Sequence, residues 1–185
     1  CKVCRRALKG CICKYVVPTS NENHVTILRH FTEAKSVKGT ALLLSLSLSN
    51  ITLLDGEEFN RPDVIKSDMD NYLLFPSENA HTMGDALHSG ESSSTRKKNF
   101  IFLDGTWKKA YKILQVNPFL EEVNHILLEV HDNSPYSQIR KQKPGGVSTL
   151  EAVLLVLKTY EDEGKFTGLE SSFESFVVGL KKAIP

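Results

Sequence analysis

Apolar residues recur along this chain in short runs bounded by polar turns, and the period of the runs changes from one to the next. Val25 to His30 is apolar and β-branched, the pattern of a strand. Ile51 to Leu54, Tyr72 to Phe75 (ended by Pro76), Asn99 to Leu103 and His125 to Val130 read the same way. From Gly39 to Asn50 the leucines at 42, 43, 44, 46 and 48 fit both a helical and an alternating period, and the length of the stretch favours a helix. Helices are predicted over Thr106 to Val116, closed by Asn117 and Pro118, and over Ser148 to Gly164 and Ser171 to Lys182. Strands alternating with helices predict an α/β fold: a mostly parallel sheet with helices on both faces and ligands at the carboxyl ends of the strands. One stretch breaks the pattern. Gly84 to Lys98 contains SGESSSTRKK, serine-rich and without apolar periodicity, and is expected to be a mobile surface loop. No internal repeat is visible.

Composition narrows the class. With 185 residues, 41% hydrophobic and 24% charged, the chain has room for one domain with a real core plus a small appendage. The greasiest stretch, Ala41 to Leu48, is interrupted by serines and is too short to span a bilayer. Cys1 to Lys14 lack the apolar region of a secretory signal, so the expected location is cytoplasmic. A formal net charge of +1 neither favours nor excludes nucleic acid, because placement of charge matters more than its sum.

The chain has 4 cysteines, Cys1, Cys4, Cys11 and Cys13, and all lie at its start. In a reducing compartment, thiols so closely spaced more often hold a metal than form disulfides, and four thiolates satisfy a tetrahedral zinc ion. A redox pair or an unliganded tail is the alternative. Lys2, Arg5, Arg6, Lys9 and Lys14 lie among these cysteines, which suits contact with phosphate; a solvated basic tail is the plainer reading.

Two denser segments carry candidate chemistry. In NFIFLDGTWKKAYKIL a strand ends on Asp104, turns at Gly105 and enters a helix, which puts a carboxylate where α/β proteins bind ligands. Amides at the start of that helix suit an anion. The single tryptophan, Trp107, is either a core anchor or an apolar wall for an adenine or a base. Lys108, Lys109 and Lys112 occupy the first turns of the helix, where its dipole disfavours cations, and a polyanionic partner would account for them. In YSQIRKQKPGGVSTLEAVLLVL, Ser148 and Glu151 form a capping box behind a Pro144-Gly145-Gly146 loop, while Arg140, Lys141 and Lys143 make the preceding segment basic. His30 and Glu33 end a strand and either line a cleft or form a structural pair. His24, His81, His88, His125 and His131 have no metal-ligand spacing.

Together, Asp104-Gly105-Thr106-Trp107 with KKAYKIL, RKQKPGGVSTLEAV and the four-cysteine start resemble the DTW-domain family of tRNA-uridine aminocarboxypropyltransferases. HFTEAKSVKGTALLLSLSLSN and LLFPSENA resemble further segments of that family. Three features depart from its pattern: Phe31 stands where proline is common, Phe75 replaces a frequent tyrosine, and the serine-rich stretch looks inserted. The resemblance implies a SPOUT-like fold with a carboxyl-terminal knot, divided into a zinc knuckle over 1–20 and an S-adenosylmethionine-binding catalytic domain over 21–185. It implies transfer of the 3-amino-3-carboxypropyl group of S-adenosylmethionine to N3 of a uridine in tRNA, leaving 5′-methylthioadenosine. Leu74, Phe75, Pro76 and Ser77 would contact the adenosine, together with Gly105 and Trp107. Thr106, Ser148 and Thr149 are candidates for the methionine carboxylate. Arg5, Arg6, Lys108, Lys109, Lys112, Arg140, Lys141 and Lys143 are candidates for the tRNA, and Arg140 is equally a candidate for the methionine carboxylate. Asp104 is either the base that takes the uridine proton, with a pKa raised by desolvation beside Trp107, or a holder of the cofactor. The rival functions are a SPOUT-like RNA methyltransferase, an aminocarboxypropyltransferase acting on ribosomal RNA, and a zinc-containing RNA-binding module without catalysis.

Overall fold

The computed structural model describes residues 1–36, 38–78, 80–83, 96–128 and 147–183. Contacts divide the chain into two compact units, one formed by Cys1–Asn21, Lys35–Ser49 and Val130–Pro185, the other by Glu22–Ala34 and Asn50–Glu129.

The second unit is an α/β sheet. Six parallel strands, β1 (His24–His30), β2 (Ile51–Gly56), β3 (Asp70–Leu74), β4 (His81–Thr82), β5 (Lys98–Asp104) and β6 (Asn124–Leu127), lie in the order β2-β1-β5-β3-β6-β4. Every predicted strand is present, and β4 is an addition too short for a periodicity to announce. Strands β1 and β5 are buried along nearly their whole length, which is why they read as continuous apolar runs rather than alternating ones. One face packs Leu28, Leu73 and Ile101 against Ala110, Ile113 and Leu114 of the helix Trp107–Val116. Burying each such leucine or isoleucine contributes about 1.5–3 kcal/mol. Polar side chains fix the frame at two places. Asn99 accepts from Thr26 and donates to the Val64 carbonyl and Asn71, at 2.8–2.9 Å. Asn117, 2% exposed, donates to the carbonyls of Glu57 and Ile113 and accepts from the Phe59 amide, tying the end of that helix to the loop after β2.

In chain order the helices are α1 (Ala41–Ser47), α2 (Arg61–Val64), α3 (Trp107–Val116), α4 (Thr149–Tyr160) and α5 (Thr167–Ala183). The first unit holds α1, α4, α5 and the cysteine segment. The Leu150 amide at the start of α4 donates to the Thr40 hydroxyl at 3.2 Å, and the Thr40 carbonyl accepts from Leu44 in α1. Tyr15 packs edge-on against Phe176 of α5 with ring centroids 5.5 Å apart, and the Ser172 hydroxyl of α5 donates to the Tyr15 carbonyl. Gly179 makes this approach possible, since a methyl group there would lie 2.2 Å from the Tyr15 Oη. The serine-rich residues 84–95 lie outside the described residues, as do 129–146, and with them the region needed to trace the expected knot. Among the described residues no helix is long and apolar enough to cross a membrane.

Candidate functional site

The four cysteines converge. Their sulfurs all lie within 4.8 Å of one another, with Cys1 to Cys13 at 3.6 Å and Cys4 to Cys11 at 3.8 Å. A tetrahedral zinc ion with bonds of about 2.3 Å needs sulfurs about 3.8 Å apart, close to the spacing of these two pairs, so the four thiols fit such an ion. None is in a disulfide. The turn that achieves this runs through Arg5, held at φ 56° in the left-handed region, with its amide donating to the Cys1 carbonyl at 3.0 Å. Amides of Ile12 and Arg6 then point at the Cys4 sulfur and, aided by Cys11 and Cys13, lower its thiol to about 7 despite burial. Burial and the neighbouring sulfurs push Cys13 the other way. Arg5 is exposed, but the Arg6 guanidinium turns inward and donates to the carbonyls of Ser36 and Gly39 at 3.3 and 3.2 Å. Two of the residues expected to meet RNA therefore differ: one faces solvent, the other staples the knuckle to the segment before α1.

In the same unit, Ser148 and Thr149 open α4. Ser148 is 3% exposed; its hydroxyl accepts from the Glu151 amide and its own amide donates to Glu151 at 2.7 Å. The capping box is formed in full, and Ser148 is engaged in it.

At the carboxyl end of the sheet, Asp104 closes the central strand β5 and is 6% exposed. The register places Arg29 of β1 beside it, and Asp55 of β2 beside Arg29. Arg29, equally buried, donates to both Asp55 oxygens at 2.6 and 2.9 Å. Alternation puts this Asp55, Arg29, Asp104 row on the face opposite Leu28 and Leu103, hence opposite α3. Trp107 belongs to the α3 side. It is 58% exposed, with its ring edge-on to Phe75 at 6.3 Å, so the core-anchor reading does not hold.

Phe75 itself is 9% exposed in the core, Leu74 and Ser77 are half-buried and Pro76 is exposed. His125, to which sequence reasoning gave no role, organises this loop. Its Nε2 donates to the Leu120 carbonyl at 2.9 Å, which leaves Nδ1 to accept from the Ser77 hydroxyl at 2.8 Å. Gly105 is the point of closest approach between turn and helix, for a methyl group there would sit 3.0 Å from the Lys109 Cβ and 3.6 Å from the His30 Cβ. Thr106 is exposed and its side chain makes no capping bond to α3.

The lysines of α3 have a partly internal explanation. Lys109 bridges Glu33 at 2.6 Å and Lys112 reaches Glu57 at 3.5 Å, so two carboxylates offset the unfavourable dipole. Lys108 is exposed and forms no ion pair among the described residues. His30 bonds Glu57 through Nε2 at 2.6 Å and Thr32 through Nδ1 at 2.8 Å. That imidazole bond, with Lys112 nearby, holds the Glu57 carboxyl below its ordinary value. His30 and Glu33 thus belong to a structural network at the strand end. Arg140, Lys141 and Lys143 lie outside the described residues.

Comparison with known proteins defines the class. The DTW domain profile matches residues 1–180, and the chain belongs to the DTW-domain family. It is 27% identical over 171 residues to a Drosophila melanogaster protein named tRNA-uridine aminocarboxypropyltransferase 2, an alignment that covers 87% of this chain and 66% of that protein. The chain therefore spans just under two thirds of that relative. No solved structure matches it.

Proposed function

We propose that this chain transfers the 3-amino-3-carboxypropyl group of S-adenosylmethionine to N3 of a uridine in tRNA, with release of 5′-methylthioadenosine. The name of the Drosophila melanogaster relative supports the reaction class. The observation that carries the reading is the buried carboxylate of Asp104 at the end of a central parallel strand, where the strand order turns back on itself and α/β proteins receive ligands.

S-adenosylmethionine, when bound, supplies an electrophilic carbon next to a sulfonium centre. The chain's own groups hold and orient it. Asp104, in register with Arg29, works as an anchor for the positive end of the cofactor rather than as the proton acceptor, and the imide proton of uridine leaves to water. Leu74, Phe75, Pro76 and Ser77 form the adenosine loop, with Ser77 kept in place by His125. Gly105 admits close backbone approach, Trp107 offers an apolar wall, and the uncapped start of α3 at Thr106 takes the carboxylate, with Thr149 a second candidate. Cys1, Cys4, Cys11 and Cys13 hold a structural zinc ion. Arg5, Lys108, Arg140, Lys141 and Lys143 meet tRNA phosphates, while Lys109 and Lys112 do so only by sharing their present carboxylates. The domain assignment is a 1–20 knuckle and a 21–185 catalytic region, acting in the cytoplasm.

The co-product is the test. Incubation with S-adenosylmethionine and unmodified tRNA should release methylthioadenosine; S-adenosylhomocysteine in its place would make the protein a methyltransferase. In calorimetry Asp104→Asn should weaken cofactor binding at least tenfold, and unimpaired binding with lost transfer would return Asp104 to the role of base.

A further inference from the structure

The hydroxyl of Ser77 has one proton to give, and His125 takes it. A carbonyl oxygen only accepts, so the Leu120 carbonyl, 2.9 Å from His125 Nε2, fixes the proton of the neutral imidazole on that nitrogen. Nδ1 is left with a lone pair, and the Ser77 hydroxyl 2.8 Å away donates to it. The pair is held by the frame on both sides. His125 stands on β6 in register with Leu73 of β3, so its ring leaves the sheet on the face that packs against α3. On the loop after β3 the Phe75 amide donates to the Leu73 carbonyl and the Ser77 carbonyl accepts from the Ala80 amide, each at 3.1 Å. Ser77 is half-buried, so a ligand can reach it, and among the described residues its hydroxyl makes no other hydrogen bond. What Ser77 Oγ presents to a ligand is therefore lone pairs and no proton.

That polarity selects among ligand groups. An ionised carboxylate has only acceptor oxygens and gains nothing from Ser77, whereas an adenosine brings two kinds of donor, its ribose hydroxyls and its 6-amino group. Resting on the adenosine-loop reading above, we propose that His125 is a positioning residue that makes Ser77 a dedicated acceptor, so that the loop selects a hydrogen-bond donor of the adenosine and rejects analogues that lack it. A site built for such a bond discriminates because the partner left behind is unpaired.

Calorimetry with 5′-methylthioadenosine, its 2′-deoxy and 3′-deoxy forms, and 5′-methylthioinosine, in which an oxygen replaces the 6-amino group, tests this. At about pH 8, where an imidazole is uncharged, the wild type should bind at least one of these analogues about tenfold more weakly than methylthioadenosine. Loss with a deoxy form places the donor on the ribose, and loss with the inosine places it on the base. In Ser77→Ala the preference should shrink to about twofold or less. His125→Leu, which leaves the Ser77 proton free to turn toward the ligand, should lose the preference as well. His125→Asn, which can offer Ser77 an amide oxygen, should keep more of it. If His125 served the fold alone, its replacement would weaken every ligand by the same factor, and unchanged ratios would overturn the proposal. A wild type that binds all the ligands alike, or a Ser77→Ala protein that keeps the preference, would overturn it too. Should a His125 variant fail to fold, the ratios in Ser77→Ala decide. A wild type that makes aminocarboxypropyl uridine without any such preference would leave the transferase reading standing and remove only the role of His125. One that neither binds methylthioadenosine nor modifies tRNA would remove both.

Discussion

The cysteine knuckle and the carboxyl edge of the sheet both crowd polar side chains together, and they keep them there by different forces. In the knuckle four sulfurs lie within 4.8 Å, held by a left-handed turn and backbone amides, with Val3 and Leu8 left 65% and 80% exposed. Apolar burial there is confined to Cys4 and Ile12, at 1% and 3% exposure. At the sheet edge Arg29 meets Asp55, His30 meets Glu57, and Lys109 meets Glu33, all on a frame set by strand register and a buried core. One arrangement fits a single added ion, whereas the other is already neutralised by its own side chains. A ligand should therefore act on the two regions unequally.

The largest effect expected is on the knuckle. Metal analysis should find one zinc per chain, and chelation or Cys4→Ser should lower the melting temperature by ten degrees or more, since structural zinc contributes on the order of 10 kcal/mol to small domains. A metal-free protein with unchanged melting would break the comparison. Next comes Gly179→Ala. Helix propensity alone would favour alanine by about 1 kcal/mol, but the new methyl group meets the Tyr15 hydroxyl at 2.2 Å, and a net loss of about 1–3 kcal/mol in chemical denaturation is expected. If the variant were more stable, Tyr15 would not be anchored as described. Ser148→Ala removes half of the capping box and should cost about 1 kcal/mol by the same measurement.

The smallest effect depends on pH. Glu57 is held below its ordinary value by His30, so its contribution is present above the unfolded value, about 4.5, and is lost as pH falls through the lower folded one. Melting curves of the wild type and Glu57→Gln should differ slightly at pH 7 and converge as pH falls through the lowered folded value. A gap that widens with acid would contradict the bond. Chelation should leave this pH-dependent difference unchanged, which tests the independence of the two regions.

Local spacing made some of this legible before any coordinates. Cysteines a few residues apart can converge only within a short turn, and the strand, glycine turn and helix around Asp104 are contiguous in sequence. Contacts made by register are another matter. Nothing near Arg29 announces Asp55 or Asp104, and nothing near His125 announces Ser77, because these neighbours come from strands distant in the chain. A cation inside the otherwise apolar run HVTILRH was the available signal that a partner exists. Trp107 misleads for a different reason: helical phase aligns it with Ala110 and Leu114, but as the first residue of α3 it lies beyond the core that those two enter. The lysines of α3 called for an anionic neighbour, and the fold supplies part of it from Glu33 and Glu57 rather than from a ligand alone.

The central claim is that the Asp104 end of β5 directs transfer to a tRNA uridine. Nucleoside mass analysis of unmodified tRNA treated with S-adenosylmethionine and either the wild type or Asp104→Asn addresses it directly. An aminocarboxypropyl uridine made by the wild type, and reduced at least a hundredfold in the variant, is the predicted outcome. A methylated nucleoside, no new nucleoside at all, or equal yields from both proteins would contradict the account.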